Sequence, residues 1–340
     1  MSFKRLQPED LVISTDSVAG TMWTNNIPTL TNFFTSSIQV AGTIGQFYNS
    51  VYQLDPSAEN SEVQFDIAFC DKNGSGSRYY NDLVPGYSPT GTNYGQYLTL
   101  ILADENAEFT FGNKTSNYFY AINLQRARYK QSILPGSLIL NLEGPTGLSI
   151  TLTDDSQTGN TVQFTDAGRV YQIVKGSAGT VDTSLQVNGW TQSKGSYGLL
   201  LPDIDVLLLN GEALDADNSE GGLLLNTGRT ADTNDNNPIK LRNAFQASTG
   251  FTINNEEVLS SDFIFVRARN NEFNYSENPS FISGSTGELV QSSFVDNPQT
   301  YITTVGMYND SNELLAVAKL SRPLPKDFTK EMLVRVKLDF

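Results

Sequence analysis

The strongest constraint on this chain is period-two alternation. Residues 62–70 run Glu-Val-Gln-Phe-Asp-Ile-Ala-Phe-Cys, a pattern that sends successive side chains to opposite faces of a strand. Residues 118–129, 136–142, 148–153 and 262–266 have the same character, and Gly144-Pro145 separates two of them. Residues 332–340 show it most cleanly: Met332, Val334, Val336 and Leu338 alternate with Leu333, Arg335, Lys337 and Asp339. One apolar and one largely charged face predict a half-exposed strand. Short strands with turn residues between them predict a mainly β chain: a multi-domain antiparallel arrangement of sandwich- or barrel-like sheets.

The stretch YITTVGMYNDSNELLAVAKL, residues 301–320, predicts a β-hairpin. Asn309-Asp310-Ser311-Asn312 supplies turn-forming side chains between two apolar runs. Beyond the turn, Leu314, Ala316, Ala318 and Leu320 face one way and Leu315 and Val317 the other. A strand apolar on both faces is expected to be covered on both. One cover is the chain's own core, and the other is a neighbouring domain or subunit.

Residues 1–28 have no sustained period, and Met22-Trp23 is their only large apolar anchor; an N-terminal arm is expected. In residues 29–54, Phe34, Ile38, Ala41, Tyr48 and Tyr52 recur with helical spacing. After Pro28 they predict the one long helix of the chain. Residues 94–102 fit a strand or a short helix. Residues 151–255 are rich in Gly, Asn, Asp, Ser and Thr, with short strands expected at 162–164, 170–174, 184–187 and 206–209. The expected organisation is an arm and helix (1–60), a main β domain (61–150 with 256–340) and an inserted β domain (151–255).

Composition excludes several function classes. With 22 basic against 37 acidic residues the net charge is −15, which disfavours nucleic acid and anionic membrane as partners. No run of about 18 apolar residues predicts a membrane-spanning helix, and the start MSFKRLQPEDLVIS lacks the apolar core of a secretory signal. Cys70 is the single cysteine, so no intrachain disulfide forms; its alternating context predicts a buried, reduced thiol in a chain folded in the cytosol. Histidine is missing altogether, which removes histidine-dependent hydrolysis, His-ligated zinc and histidine proton shuttles. No cofactor, metal or enzymatic activity is expected.

Motifs with chemical content are few. The glycine-containing loop 72–77 lacks the Lys-Ser or Lys-Thr that closes a phosphate-binding loop. Residues 215–221 alternate oxygen side chains like a calcium loop, but Glu220 stands where the sixth position needs glycine. Carboxylate pairs that would suit glycoside hydrolysis, such as Asp154-Asp155 and Glu256-Glu257, sit in polar context, and no acidic residue is read as standing in an apolar setting. Two runs, Gln-Arg-Ala-Arg (125–128) and Val-Arg-Ala-Arg (266–269), each project two arginines from one face of a strand. They suit a carboxylate-rich partner, or internal pairs with the chain's own Asp and Glu. Residues 270–279 set Phe273 and Tyr275 among Asn and Ser, a composition of contact loops and also of glycan grooves. The expected assembly contacts are Trp23, Phe34, Arg126, Arg128, Arg267, Arg269, Phe273, Tyr275 and Phe340.

The hairpin pattern Thr-Val-Gly-Met-Tyr-Asn, then Asn-Glu-Leu-Leu-Ala-Val-Ala, has Met307 where a recurrent phage pattern has Leu. Together with Glu-Phe-Asn-Tyr-Ser-Glu-Asn-Pro (272–279) and the ending Leu-Val-Arg-Val-Lys-Leu-Asp-Phe (333–340), it resembles uncharacterised virion structural (tail/baseplate) proteins of contractile-tailed bacteriophages. The resemblance covers about the last 80 residues. It implies a structural component of the tail or baseplate that makes specific contacts with other virion structural proteins. That component would be a homo-oligomer or part of a symmetric assembly, located in a virion assembled in the host cytoplasm. The resemblance carries no catalytic residue. Alternatives are a receptor- or glycan-binding fibre or head-decoration protein, for which residues 273–278 speak, and a tail-associated glycan hydrolase.

Overall fold

The computed structural model describes residues 4–37, 47–74, 90–104, 106–159, 162–182, 190–191, 193–227 and 236–339. The chain is mainly β. In order, the strands are β1 (Leu11–Thr21), β2 (Thr29–Leu30), β3 (Tyr48–Tyr52), β4 (Val63–Asp71), β5 (Thr110–Phe111), β6 (Lys114–Thr115), β7 (Tyr118–Leu124), β8 (Ser132–Ile133), β9 (Ile139–Glu143) and β10 (Ser149–Asp154). They continue as β11 (Gln163–Thr165), β12 (Gly168–Ser177), β13 (Thr180–Val181), β14 (Gly198–Leu201), β15 (Val206–Asn210), β16 (Phe251–Thr252), β17 (Asn254–Ala268), β18 (Thr300–Tyr308), β19 (Leu314–Lys326) and β20 (Met332–Asp339). Helices α1 (Thr90–Leu102), α2 (Gly211–Asp215) and α3 (Asn237–Ala247) lie among the described residues. Two compact units result, residues 18–257 and residues 1–17 with 258–340.

The larger unit is built on a curled, half-barrel antiparallel sheet in the order β2-β16-β9-β10-β12-β14-β15-β7-β4-β3, with β11 and β13 paired to β12. Its central strands are buried on both faces, which is why they read as nearly continuous apolar runs. From β7, Tyr118, Tyr120, Ile122 and Leu124 enter one core, and Phe119 and Ala121 enter the other. From β15, Leu207 and Leu209 go one way and Val206 and Leu208 the other. The first core centres on Trp23, Phe33, Phe65, Phe251 and, from α3, Phe245. The second is roofed by α1, whose Tyr94, Tyr97, Leu98 and Ile101 fall on one helical stripe. Beneath them Phe109 and Phe119 meet edge-on at 4.7 Å. Each such buried side chain contributes about 1.5–3 kcal/mol relative to exposure. Cys70 lies in this second core, and burial pushes its thiol well above its ordinary range.

Several expectations are corrected. Within the N-terminal segment Leu11–Thr21 form strand β1, paired with β17, and Trp23 lies in the core. The helix expected over 29–54 has strands at both ends, β2 and β3, while residues 38–46 lie outside the described residues. In β3 the buried residues are Asn49 and Val51, two apart, and β3 pairs with β4 from Tyr48↔Ala68 to Tyr52↔Val63. Its aromatic spacing fits a helix, but the neighbouring strand claims the backbone hydrogen bonds. Residues 94–102 resolve to a helix. An unexpected helix, α3, forms where Pro238 opens the first turn, and Pro238, Ile239, Leu241, Ala244 and Phe245 are buried. The segment read as an inserted domain supplies β11–β16 to the same sheet as β3, β4 and β7. Its expected strand at 184–187 lies outside the described residues.

In the smaller unit β17 and β20 pair from Ser261↔Asp339 to Ala268↔Met332. The alternation of β20 appears as expected: Val334 and Val336 are buried, while Leu333, Arg335, Lys337 and Asp339 are exposed. Ile264, Val334 and Val336 form a small core with Val305, Met307, Ala318, Leu320 and Leu324 from β18 and β19.

Candidate functional site

β18 and β19 form the hairpin that the sequence predicts, paired from Thr300↔Lys326 to Tyr308↔Leu314. Its tip is closed by the side chain of Asn309, whose Oδ1 accepts the amide protons of Ser311 at 3.0 Å and Glu313 at 2.8 Å. Asn312 takes φ +63°, a left-handed conformation that asparagine tolerates. Ala316, Ala318 and Leu320 turn towards the unit's core, and the residues between them turn to solvent. That outer face carries Tyr301 (60% exposed), Leu315 (68%) and Val317 (57%). Large apolar side chains thus stand open to solvent on strands whose other face is packed.

The outer face of β17 and β20 is different in kind. Arg267, Arg335 and Lys337 are exposed there, beside the partly buried Phe263 and Phe265. The Arg335 guanidinium stands 5.5 Å and the Lys337 ammonium 5.8 Å from the Phe263 ring centre. Lys337 pairs with Asp339 at 2.8 Å, so in a chain of net charge −15 Arg267 and Arg335 are the basic groups of this face suited to further carboxylates. Beyond β17, the loop carrying Phe273 and Tyr275 is held from below by Lys326. That fully buried ammonium donates to Asn270 O (3.0 Å), Asn274 Oδ1 (2.8 Å) and Asp327 O (2.8 Å). Burial lowers its pKa. Thr300 Oγ1 donates to Phe273 O, and Lys4 pairs with Glu272 at 2.8 Å. A loop anchored at four points presents Tyr275 as a defined, 63% exposed ring.

The remaining expected contacts divide. Arg267 and Arg269 are exposed and make no ion pair among the described residues. Arg126 and Arg128 lie on a 3-10 turn instead of a strand, so the same-face geometry expected for them does not occur. Arg126 donates to the carbonyls of Tyr129 (3.1 Å) and Lys130 (3.3 Å) and stacks on the Tyr129 ring, while Arg128 pairs with Glu62 at 2.6 Å. Phe34 is partly exposed in a backbone bridge to Tyr52. Trp23 is 2% exposed. Phe340 lies outside the described residues.

No protein-family model matches the chain, and neither does any curated protein or solved structure. The chemistry of the larger unit must therefore be read from its own residues.

Two acidic residues in the turn between β14 and β15 were not singled out from sequence. Asp203 accepts a forked pair from Arg169, with Nη2 at 2.6 Å and Nε at 2.9 Å, and also the Arg169 amide at 2.7 Å. Asp205 is 2% exposed, and burial pushes its carboxyl up to about 7; the Tyr129 hydroxyl and the Arg126 guanidinium pull the other way. This corrects the expectation that no carboxylate stands in an apolar setting. The signal was present: Pro202-Asp203-Ile204-Asp205 joins two Leu-rich runs. The calcium-like loop is a 3-10 turn in which Asp217 caps Asn218, while Asp215 accepts from the Tyr118 hydroxyl at 2.8 Å. No group of three metal-ligating side chains occurs among the described residues.

Proposed function

We propose that this chain is a non-enzymatic structural component of a tailed-phage virion, placed in the tail or baseplate, whose work is specific contact with neighbouring subunits. The single observation that carries the proposal is the solvent face of the hairpin, where Tyr301, Leu315 and Val317 stand open on strands whose other face is packed. Burying each of these side chains in a partner would gain about 1.5–3 kcal/mol before the costs of association. The nearby pair Arg267 and Arg335 gives such an interface an orientation, since the acidic remainder of another copy or another virion protein complements it. The same proposal treats the two units as sandwich- or barrel-like β domains of one assembly part, forming a homo-oligomer or a member of a symmetric ring, with no membrane or nucleic-acid partner.

The test combines location with surface mutation. Mass spectrometry and cryo-EM of purified particles are expected to find the chain in the tail or baseplate. A Leu315→Glu, Val317→Glu double variant is expected to keep its stability within about 0.5 kcal/mol, because both side chains already face water. Its incorporation into particles should fall at least about tenfold. Finding the chain only as a free monomer, absent from particles, overturns the proposal. Particles that are intact but no longer adsorb to the host would assign it to the receptor-binding class instead.

A further inference from the structure

A cleft of about 320 Å³ opens in the larger unit beside β12, lined by Trp190, Gln172, Ser156, Gln163 and Asp155 among others. We propose that it is a binding site for a single neutral sugar ring. Three observations point to a polyhydroxylated ligand of that size.

The first is an unpartnered donor. Gln172 is 9% exposed, and its Oε1 accepts both the Gly112 amide proton at 3.0 Å and the Ser196 hydroxyl at 2.7 Å. A backbone N–H can only donate, so it fixes which end of the amide is oxygen. The Nε2 group is thereby left on the cleft side with no acceptor among the described residues. The Ser156 hydroxyl on the same wall is buried without a partner. A polar group left in that state is costly, and a ligand oxygen satisfies it.

The second is the aromatic wall. Gly112 has φ +64°, and a Cβ built there would lie 2.3 Å from the Trp190 ring. Glycine at this position is what lets the indole settle against the backbone and remain part of the cleft. A fixed indole beside amide and hydroxyl groups suits the C–H face of a pyranose. The third is charge and size. Asp155 is held with one oxygen on the Gln172 amide at 2.9 Å, so a carboxylate lines the site and disfavours phosphorylated or acidic sugars. The volume stands at the lower end of ligand pockets, roughly 300–1,000 Å³, which fits one ring and not an extended chain.

The chain has two tryptophans, and Trp23 is buried in the core. Trp23 thus contributes a constant background, and a change in the intrinsic fluorescence of the full chain on titration reports Trp190. Titration with a panel of neutral hexoses and N-acetylhexosamines is expected to give a saturable change with a Kd on the order of 1 mM. The corresponding uronic acids and sugar phosphates should bind at least about tenfold more weakly. By calorimetry, Trp190→Ala and Ser156→Ala should each weaken binding of the same sugar, with unfolding midpoints unchanged. No saturable response to any neutral sugar at 100-fold above that range overturns the proposal. Undiminished binding in Trp190→Ala does so too, as does preference for a free nucleoside over every sugar in the panel.

Discussion

Trp23→Ala is expected to lower the unfolding free energy by at least about 3–5 kcal/mol, the range for truncating a large aromatic in a packed core. The indole is 2% exposed and packs against Phe251 and Phe65, with ring centroids at 5.0 and 6.2 Å. Its Nε1 donates to the Phe251 carbonyl at 2.9 Å, tying residue 23 to β16 across more than two hundred residues of chain. Truncation opens a cavity and also strands a buried carbonyl, which adds about 1–3 kcal/mol. Against a typical total of about 5–15 kcal/mol this is a large share. Urea unfolding followed by circular dichroism measures it, and Trp23→Phe should recover most of the loss by keeping the ring. Unchanged stability accompanied by failed assembly would return Trp23 to the role its sequence context suggests, that of an external contact.

Asp205→Asn should stabilise the protein, and the gain should depend on pH. The folded carboxyl titrates near 7 against an ordinary 3.8, so between those values the folded state holds a proton that the unfolded state has released. Stability contributed by this group is fully present below about pH 4 and is lost as pH rises through 7. Asparagine cannot ionise and avoids that loss. The gain should be near zero at about pH 4 and reach roughly 4 kcal/mol at most above pH 7, because each pH interval of one between the two values adds about 1.4 kcal/mol. Asp205 sits at φ +56°, a left-handed conformation that asparagine also adopts, so the backbone does not oppose the change. Guanidinium unfolding at pH 4.5 and pH 8 gives the two numbers. Equal effects at both would mean that the carboxylate is not desolvated as its burial implies.

The two variants mark how far local pattern carries. The central strands, the terminal strand β20, the hairpin and its Asn309 turn, and the burial of Cys70 were all legible in the sequence. Each depends on residues within a few positions of one another, and side-chain alternation or turn chemistry determines them locally. Arg128 and Trp23 were not legible in that way. The Glu62 partner of Arg128 and the Phe251 acceptor of Trp23 arrive from distant strands, and nothing in the local composition names them. Residues 48–52 misled because aromatic residues at helical spacing also satisfy a short strand when a long one such as β4 is available to pair with it. The helix α3 escaped notice because its buried Ile239, Leu241, Ala244 and Phe245 are interleaved with Lys240, Arg242, Asn243 and Gln246, which gives the segment a weak apolar pattern.

For the sites, sequence alone indicated a two-faced hairpin and an Arg267–Tyr275 region suited to contact, because exposure alternates with burial along a strand. Asp205 becomes unusual only when the folded chain buries it, against the opposing pull of Tyr129 and Arg126, and the cleft exists only once Gly112, Gln172 and Trp190 meet. Local periodicity therefore decided which segments are strands and which way their side chains point. Long-range packing decided which polar groups lose their water, because desolvation depends on what the rest of the chain brings to lie above them.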